Sequence, residues 1–384
     1  MRIMYIAPRF HTNQAPIIKG LKEHGHEICF LSHYQGMIED YSVIKPVVIG
    51  YSRVFLFWER FYIKVLHKND PKAVDMRLKS GFPPAGKVRK LVKGFLPDVV
   101  IIRERSIYSI VTYMSCRNLG IPFILYNQSP LWEKKIKNDI PHRIVKSMLP
   151  KVRMTPVMGD PRTGEREERA FFIPFVIEPG QTVEQKQWFR NDKINILCVA
   201  KYEKRKNIDM LIDVFSELQE QYELTLTVTG ECTSDFHKEY FNVQQSHIEK
   251  LRQDQNITLL KNLSREDTDV MYSRSDLFIL PSTDEPASVS QMEAMAYSVP
   301  VICSNQNGTA CYVHDNENGL LFRDCDRDDL KKKMICIISD RSRLISMGKN
   351  GYDFIKKDCS YDLYYNGINK CIDECNRYRE VHNK

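Results

Sequence analysis

SDLFILPSTDEPASVSQMEAMAYSVPVICS, residues 275–304, reads as a strand, a loop, a helix and a second strand. The apolar run ending at Leu280 reads as a strand. The loop after it carries Glu285, and the helix, which begins near Ser288 or Ser290, carries Glu293. Ligands of parallel α/β sheets bind beyond the carboxyl ends of the strands. A helix starting there offers unpaired N–H groups and the positive end of its dipole to a phosphate oxygen. The two carboxylates would flank that point and accept hydrogen bonds from sugar hydroxyls, each charged bond contributing roughly 1.5–3 kcal/mol. The spacing also has a purely structural reading, because Ser290 followed by Glu293 is a capping box.

Outward from this segment the same rhythm continues. INILCVA, LTLTVTG, ITLLKNL and PVICS are further strands, separated by helices such as Ile208 to Gln219 and His237 to Arg252. They predict a doubly wound domain over about residues 190–355, preceded by a polar linker, EPGQTVEQKQWFRNDK, with Pro179 and Gly180 at its start. Upstream, IMYIA, EICFLS, DVVIIR and PFILY alternate with helices near Ala15 to His24 and Ser109 to Asn118, and MTPVMG and AFFIPFVI end the series. Residues 1–180 are thus a first Rossmann-like domain, and 356–384 a C-terminal helical segment. The expected architecture is α/β, with two doubly wound domains facing across a cleft that holds the active site.

The charge is divided between the halves. Of the net +7, residues 1–180 hold 29 Lys and Arg against 16 Asp and Glu, a balance of +13, which leaves −6 for the rest. A cation-rich half suits phosphate-bearing ligands, anionic lipid head groups or nucleic acid. YSRVFLFWERFYIKVLHK (51–68) and the basic run around Trp132 to Arg153 interleave aromatic residues with cations, a composition that fits an anionic membrane surface and equally a buried helix with a solvated face. No apolar stretch approaches the roughly 18–20 residues of a membrane span, and the first apolar run stops at Pro8, so a cytoplasmic protein is expected. The eleven cysteines form no C-x-x-C pair and read as reduced, mostly core thiols, and Cys371 and Cys375, four apart on an expected helix, are too few ligands for a metal site. No nucleic-acid-binding motif is present.

The segment around Glu285 and Glu293 resembles the donor-binding signature of the family 4 (group 1) retaining glycosyltransferases, E-P-x-G-x-x-x-x-E-A-M-A-x-G-x-P-V-I. Glu285, Pro286, Glu293, Ala294, Met295, Ala296, Pro300, Val301 and Ile302 match, as does NGLLF at 318–322, while Ser288 and Ser298 replace two of the family's glycines. The resemblance implies a GT-B fold in which Glu293 binds the donor ribose, Glu285 holds the transferred sugar, and the backbone at Ser288 and Val289 meets the phosphates. VAKYEKRKNIDMLIDVF is similar to the family's V-G-R-x-x-x-x-K-G-x-x-x-L segment, with Lys201 at the arginine position and Lys206 at the lysine position. Two cations there would stabilise charge developing on a departing diphosphate. Glu285 and Lys206 are then the catalytic pair.

The first half resembles the family more loosely, through HGHEICFLS (24–32) and PDVVII (97–102). His11, Asn13, Arg103, Arg105 and Gln128 follow strands and are the acceptor or cleft candidates. The expected function is metal-independent, cofactor-free, retaining transfer of a hexose from a nucleotide-diphosphate sugar to a glycan or lipid-linked acceptor in cell-surface polysaccharide synthesis. The competing readings are an epimerase or phosphorylase of the same architecture, and a nucleic-acid or anionic-surface binding protein. The triplet Asp324 to Asp326 has the D-x-D form of a metal site, but the resemblance implies a loop with a helix-capping aspartate there.

Overall fold

A computed structural model of the chain describes residues 1–36, 41–66 and 80–382. The chain divides into two compact units, Met1–Val176 with Tyr361–Lys384, and Ile177–Ser360.

The first unit is built on seven parallel strands, β1 (Arg2–Ala7), β2 (Glu27–Ser32), β3 (Val47–Val48), β4 (Val99–Arg103), β5 (Phe123–Tyr126), β7 (Val152–Thr155) and β9 (Ala170–Phe172). Their order in the sheet is β3-β2-β1-β4-β5-β7-β9, and a two-stranded pair of β6 (Trp132–Glu133) and β8 (Glu165–Arg166) lies apart from it. Successive side chains of a strand point to opposite faces, and β1 and β4 are apolar on both. Tyr5, Ile101, Ile124 and Met154 therefore build one core, and Met4, Ile6, Val100 and Ile102 build another with Val88, Val92 and Tyr108.

The helix Tyr361–His382 closes the first of these cores with Tyr364, Ile368, Cys371 and Cys375. The C-terminal segment therefore returns to the first unit. Cys371 and Cys375 are buried there, and burial pushes both thiols above their ordinary range, Cys375 to about 12.

The second unit holds six parallel strands, β10 (Ile194–Val199), β11 (Leu224–Thr229), β12 (Ile257–Leu259), β13 (Leu277–Leu280), β14 (Val301–Ser304) and β15 (Gly319–Phe322), in the order β12-β11-β10-β13-β14-β15. All four residues of β13 are fully buried, which accounts for the unbroken apolar run in the sequence. The stretch expected as a linker is fastened to this unit instead. Gly180 N–H donates to the Ala296 carbonyl at 2.9 Å, and the buried Lys186 ammonium donates to the carbonyls of Tyr272, Ser273 and Tyr297 at 3.3–3.4 Å.

β10 lies between β11 and β13, paired Ile196 to Leu277 and Leu197 to Phe278. The loops leaving the carboxyl ends of β10 and β13 are consequently neighbours, and the two segments singled out in the sequence, 80 residues apart, meet there.

Candidate active site

The loop after β10 is pinned at Tyr202, a fully buried residue whose hydroxyl donates to the Leu260 and Val228 carbonyls at 2.6 and 3.1 Å. It ends in a 3-10 turn, Lys204–Lys206, closed by Asn207 in the left-handed region at φ 49°, which asparagine tolerates better than most residues. The loop after β13 is zipped to it, with Thr283 N–H donating to the Arg205 carbonyl at 2.9 Å and Asn207 Nδ2 to the Pro281 carbonyl at 3.0 Å. Gly308 N–H fixes the backbone of Glu285 at 2.8 Å.

These contacts bring Glu285 and Lys206 together, both buried, with the ammonium on Glu285 Oε2. Arg205 adds a second cation to the same oxygen at 2.9 Å and also binds Glu203 at 2.8 Å, and Glu203 in turn meets His237 Nε2 at 3.4 Å. Burial opposes the charge on Arg205, but its two carboxylate partners outweigh that and hold the guanidinium above its ordinary range. Glu285 Oε1 is bound by none of the described residues. Arg205, which the sequence reading did not single out, is therefore a member of the candidate site.

Lys201 is differently placed. Its ammonium is 2.6 Å from Glu231, in the loop after β11, and Glu231 also accepts from the Thr233 hydroxyl at 2.9 Å. Burial alone would raise the Glu231 carboxyl, and the bond from Lys201 overrides it, leaving the group below the usual carboxylate range. Gly230 permits this approach, since a Cβ on it would lie 1.9 Å from the Ala200 carbonyl oxygen.

The helix after the second loop is Ser290–Ala296, seven residues, with Val289 as its cap residue and no side-chain cap. The capping-box reading fails here, because the Glu293 carboxylate is occupied elsewhere. Arg265 NH1 binds its Oε1, and the Tyr272 hydroxyl donates to its Oε2 at 3.0 Å. Burial opposes the charge on Arg265, and Glu293 and Asp269 more than compensate, so its guanidinium stays above the ordinary range. Ser290 instead meets the Ser288 hydroxyl at 2.9 Å. Ser288 lies outside the positive-φ residues, so that family glycine is replaceable here, whereas Ser298 adopts φ 55° and is held by its hydroxyl on the Gln181 carbonyl at 2.7 Å. No pattern in the sequence pointed to Arg265 or Tyr272 as the anchors of Glu293, since they lie on another helix, Arg265–Arg274.

Asp324 accepts from the hydroxyls of Thr283 and Ser304, each at 2.8 Å, and Asp326 caps the helix Arg327–Ile338 through Asp329 N–H at 2.9 Å. Both carboxylates of the triplet thus serve the fold. Among the described residues no group of three His, Cys, Asp or Glu is placed to hold a metal ion.

In the first unit the candidates separate. Asn13, in the turn after β1, and Arg103, ending β4, line one small cavity with Gln14 and Tyr126. Arg103 is buried there, 5.7 Å from the Tyr126 ring. His11 closes the turn through its N–H on Gln14 Oε1 at 3.1 Å.

Arg105 belongs to a different, open groove of about 970 Å³ with Lys151, Arg153 and Arg169, and binds Glu167 at 2.6 Å. Gln128 sits in the loop after β5. That loop is braced by the buried Arg153, which donates to Asn127 Oδ1 and to the carbonyls of Ser129 and Pro130 at 2.7–3.1 Å. Burial lowers the Arg153 guanidinium to about 10 even with Glu167 beside it.

Two parallel sheets, of seven and six strands, the second carrying a Glu-Lys pair and another anchored glutamate at its strand ends, have the GT-B fold. Residues 181–354, most of the second unit, match the family model described as Glycosyl transferases group 1.

Among curated relatives, the chain is 25% identical over 359 residues to the capsular polysaccharide biosynthesis glycosyltransferase CapM of Staphylococcus aureus, covering 90% of this chain and 85% of that one. It is 25% identical over 177 residues to the alpha-monoglucosyldiacylglycerol synthase of Acholeplasma laidlawii, which covers 46% of this chain and 42% of the other. In fold it is similar to the Anabaena protein Alr3699/HepE solved with UDP, at TM-score 0.72 and 13% identity over 97% of this chain and 100% of that one. Among the described residues no helix is long and apolar enough to cross a membrane.

Proposed function

We propose that this enzyme transfers a hexose from a uridine-diphosphate sugar, with retention of configuration and without a metal ion, to a glycan or lipid-linked acceptor of cell-surface polysaccharide synthesis, working peripherally at the cytoplasmic face of a membrane. The observation that carries the reading is the buried Glu285 carboxylate shared by Lys206 and Arg205 at the carboxyl ends of β10 and β13. When a donor enters, Glu285 Oε1 is the acceptor for a sugar hydroxyl, and Lys206 and Arg205 face the diphosphate.

As the bond from the anomeric carbon to the diphosphate breaks, negative charge grows on the leaving oxygen, and a fixed cation there acts in a water-poor site. At an effective dielectric of 20, one such charge at about 4 Å contributes roughly 4 kcal/mol. The acceptor oxygen bonds to the same face of the sugar, and its proton passes to the departing phosphate oxygen. Glu293, held by Arg265 and Tyr272, receives the ribose hydroxyls. Lys201, paired with Glu231, reaches the diphosphate by exchanging that carboxylate for a phosphate oxygen.

Uridine is favoured because Alr3699/HepE, similar in fold, has been solved with UDP and with UDP-glucose. A surface-polysaccharide acceptor is favoured by the printed role of CapM, and a lipid-borne one by that of the diacylglycerol relative.

The deciding experiment incubates the protein with a panel of UDP-sugars and bacterial lipid extract in the presence of EDTA, and follows UDP release and the anomeric configuration of the product by NMR. Release of UDP coupled to an α-linked product from an α-linked donor is expected. An inverted product, or turnover that appears only after Mn²⁺ or Mg²⁺ is added, overturns the mechanism, and a failure of every nucleotide sugar to raise the melting temperature overturns the donor class. A donor at 100 times its Kd stabilises by about 2.7 kcal/mol.

A further inference from the structure

The helix Arg53–Phe61 turns its apolar side outward. Ser52 caps it, accepting from Val54 N–H at 3.3 Å, and Phe55 and Glu59 face inward at 2% and 4% exposure, Phe55 packing against Tyr51 and Phe82. The opposite stripe consists of Val54, Phe57, Trp58 and Phe61, spaced i, i+3, i+4 and i+7, and these side chains are 70, 76, 48 and 49% exposed. Exposed apolar residues scattered singly are normal, but four large ones in one contiguous stripe mark a contact surface. Phe55 already anchors the helix, so the stripe is not displaced core.

What covers the stripe is indicated by charge. Arg53, Arg60 and Lys64 are exposed on the same segment, while its one acid, Glu59, is buried. Aromatic and branched side chains edged by Arg and Lys fit the boundary between acyl chains and anionic head groups. A second helix of this unit, Ile140–Ser147, repeats the composition. It has no buried residue, leaves Ile140, Ile144 and Val145 exposed, and lies next to exposed Lys134, Lys135, Lys137 and Arg143.

We propose that the stripe Val54, Phe57, Trp58 and Phe61 is the surface by which the first unit seats on an anionic lipid bilayer, with its rings at the depth of the head groups and Arg53, Arg60 and Lys64 on lipid phosphates. The inference deepens the reading of a membrane-associated enzyme and names the surface responsible.

The test uses the full chain and vesicles of phosphatidylcholine with or without about 30% phosphatidylglycerol, read by co-sedimentation and by quenching of tryptophan fluorescence with brominated lipid. The wild type should sediment with the anionic vesicles, bind less at about 0.5 M NaCl, and show quenching that disappears in Trp58→Phe. Phe57→Ser with Phe61→Ser should weaken partitioning by about tenfold or more while the melting temperature stays unchanged.

Absence of anionic-vesicle binding at low salt overturns the proposal, as does quenching that survives in Trp58→Phe. A concentration-dependent dimer that dissolves with Phe57→Ser and Phe61→Ser would assign the stripe to a second copy and equally overturn it. Neither donor nor acceptor is present, so failure here leaves the sugar-transfer reading standing, and an inactive enzyme leaves the lipid result standing.

Discussion

Arg205 NH1 stands 2.9 Å from Glu285 Oε2, across 80 residues of sequence. The pairing follows from strand order, because β10 and β13 are adjacent and end at the same edge. Lys206 binds the same oxygen from a more enclosed position, its side chain 8% exposed against 37% for Arg205. The buried lysine and the half-open arginine thus give one carboxylate two unequal cations.

That inequality predicts different losses. Lys206→Ala removes the enclosed cation nearest the proposed leaving group, and kcat at saturating donor should fall by about 10²–10³, the scale of losing one preorganised donor to a developing anion. Arg205→Ala leaves Glu285 paired with Lys206, and should chiefly raise the donor KM, by roughly fivefold, since an exposed charge contributes about 1 kcal/mol. Steady-state kinetics of both variants decide it, and equal losses in kcat would reject the assigned division.

A second prediction concerns pH. Burial lowers the Lys186 ammonium from its ordinary value to about 7, with Asp276 only partly offsetting it. The unfolded chain then binds more protons than the folded one above pH 7, so stability rises with pH through that window. Between pH 7 and about 8.5 the second unit should gain about 1.5 kcal/mol that Lys186→Met does not gain. Melting curves of the two proteins at both pH values measure it, and parallel behaviour would return Lys186 to an ordinary ammonium.

Much of this was legible beforehand. The unbroken apolar strands were enough to find two doubly wound domains, and the Glu285 to Glu293 spacing to place the candidate loop after β13, because strand burial and loop position depend on local pattern. What depended on strand order was not legible. The pairing of Lys201 with Glu231 and of Glu293 with Arg265 and Tyr272 joins elements that touch only after the sheet assembles. The bonds that tie Lys186 in the polar stretch to the Tyr272 and Tyr297 carbonyls were hidden for the same reason. The return of Tyr361–His382 to the first unit likewise rests on long-range packing against Tyr5 and Ile124.

Asp324 supports a third prediction. Its carboxylate ties the Thr283 and Ser304 hydroxyls, and deleting it strands two donors at about 1–3 kcal/mol each when buried. Asp324→Ala should therefore lower the melting temperature, while EDTA leaves the activity of the wild type intact because Lys206 and Arg205 supply the positive potential. A metal role would show the opposite pattern, with chelation abolishing turnover and Mn²⁺ or Mg²⁺ restoring it.

The last prediction separates Glu293 from Glu285. Glu293 is proposed to hold the ribose, a contact made equally in the bound substrate and in the transition state, so Glu293→Ala should raise the donor KM with little change in kcat. Its anchors should share that signature. Tyr272→Phe removes one hydrogen bond to Oε2 and Arg265→Ala removes the cation on Oε1, and each should raise KM, the arginine variant more. Glu285→Gln should instead lower kcat, because the charge it is proposed to present to the reacting sugar is needed most as the anomeric carbon becomes cationic.

Stability must be separated from binding first. Tyr272 is fully buried and Arg265 also binds Asp269 at 3.0 Å, so a loss of melting temperature is expected in both anchor variants. Measuring kcat and KM well below the transition, and titrating UDP alone by calorimetry, removes that contribution. If UDP binds folded Glu293→Ala as tightly as wild type, Glu293 is a purely structural partner of Arg265, and the ribose must be held elsewhere.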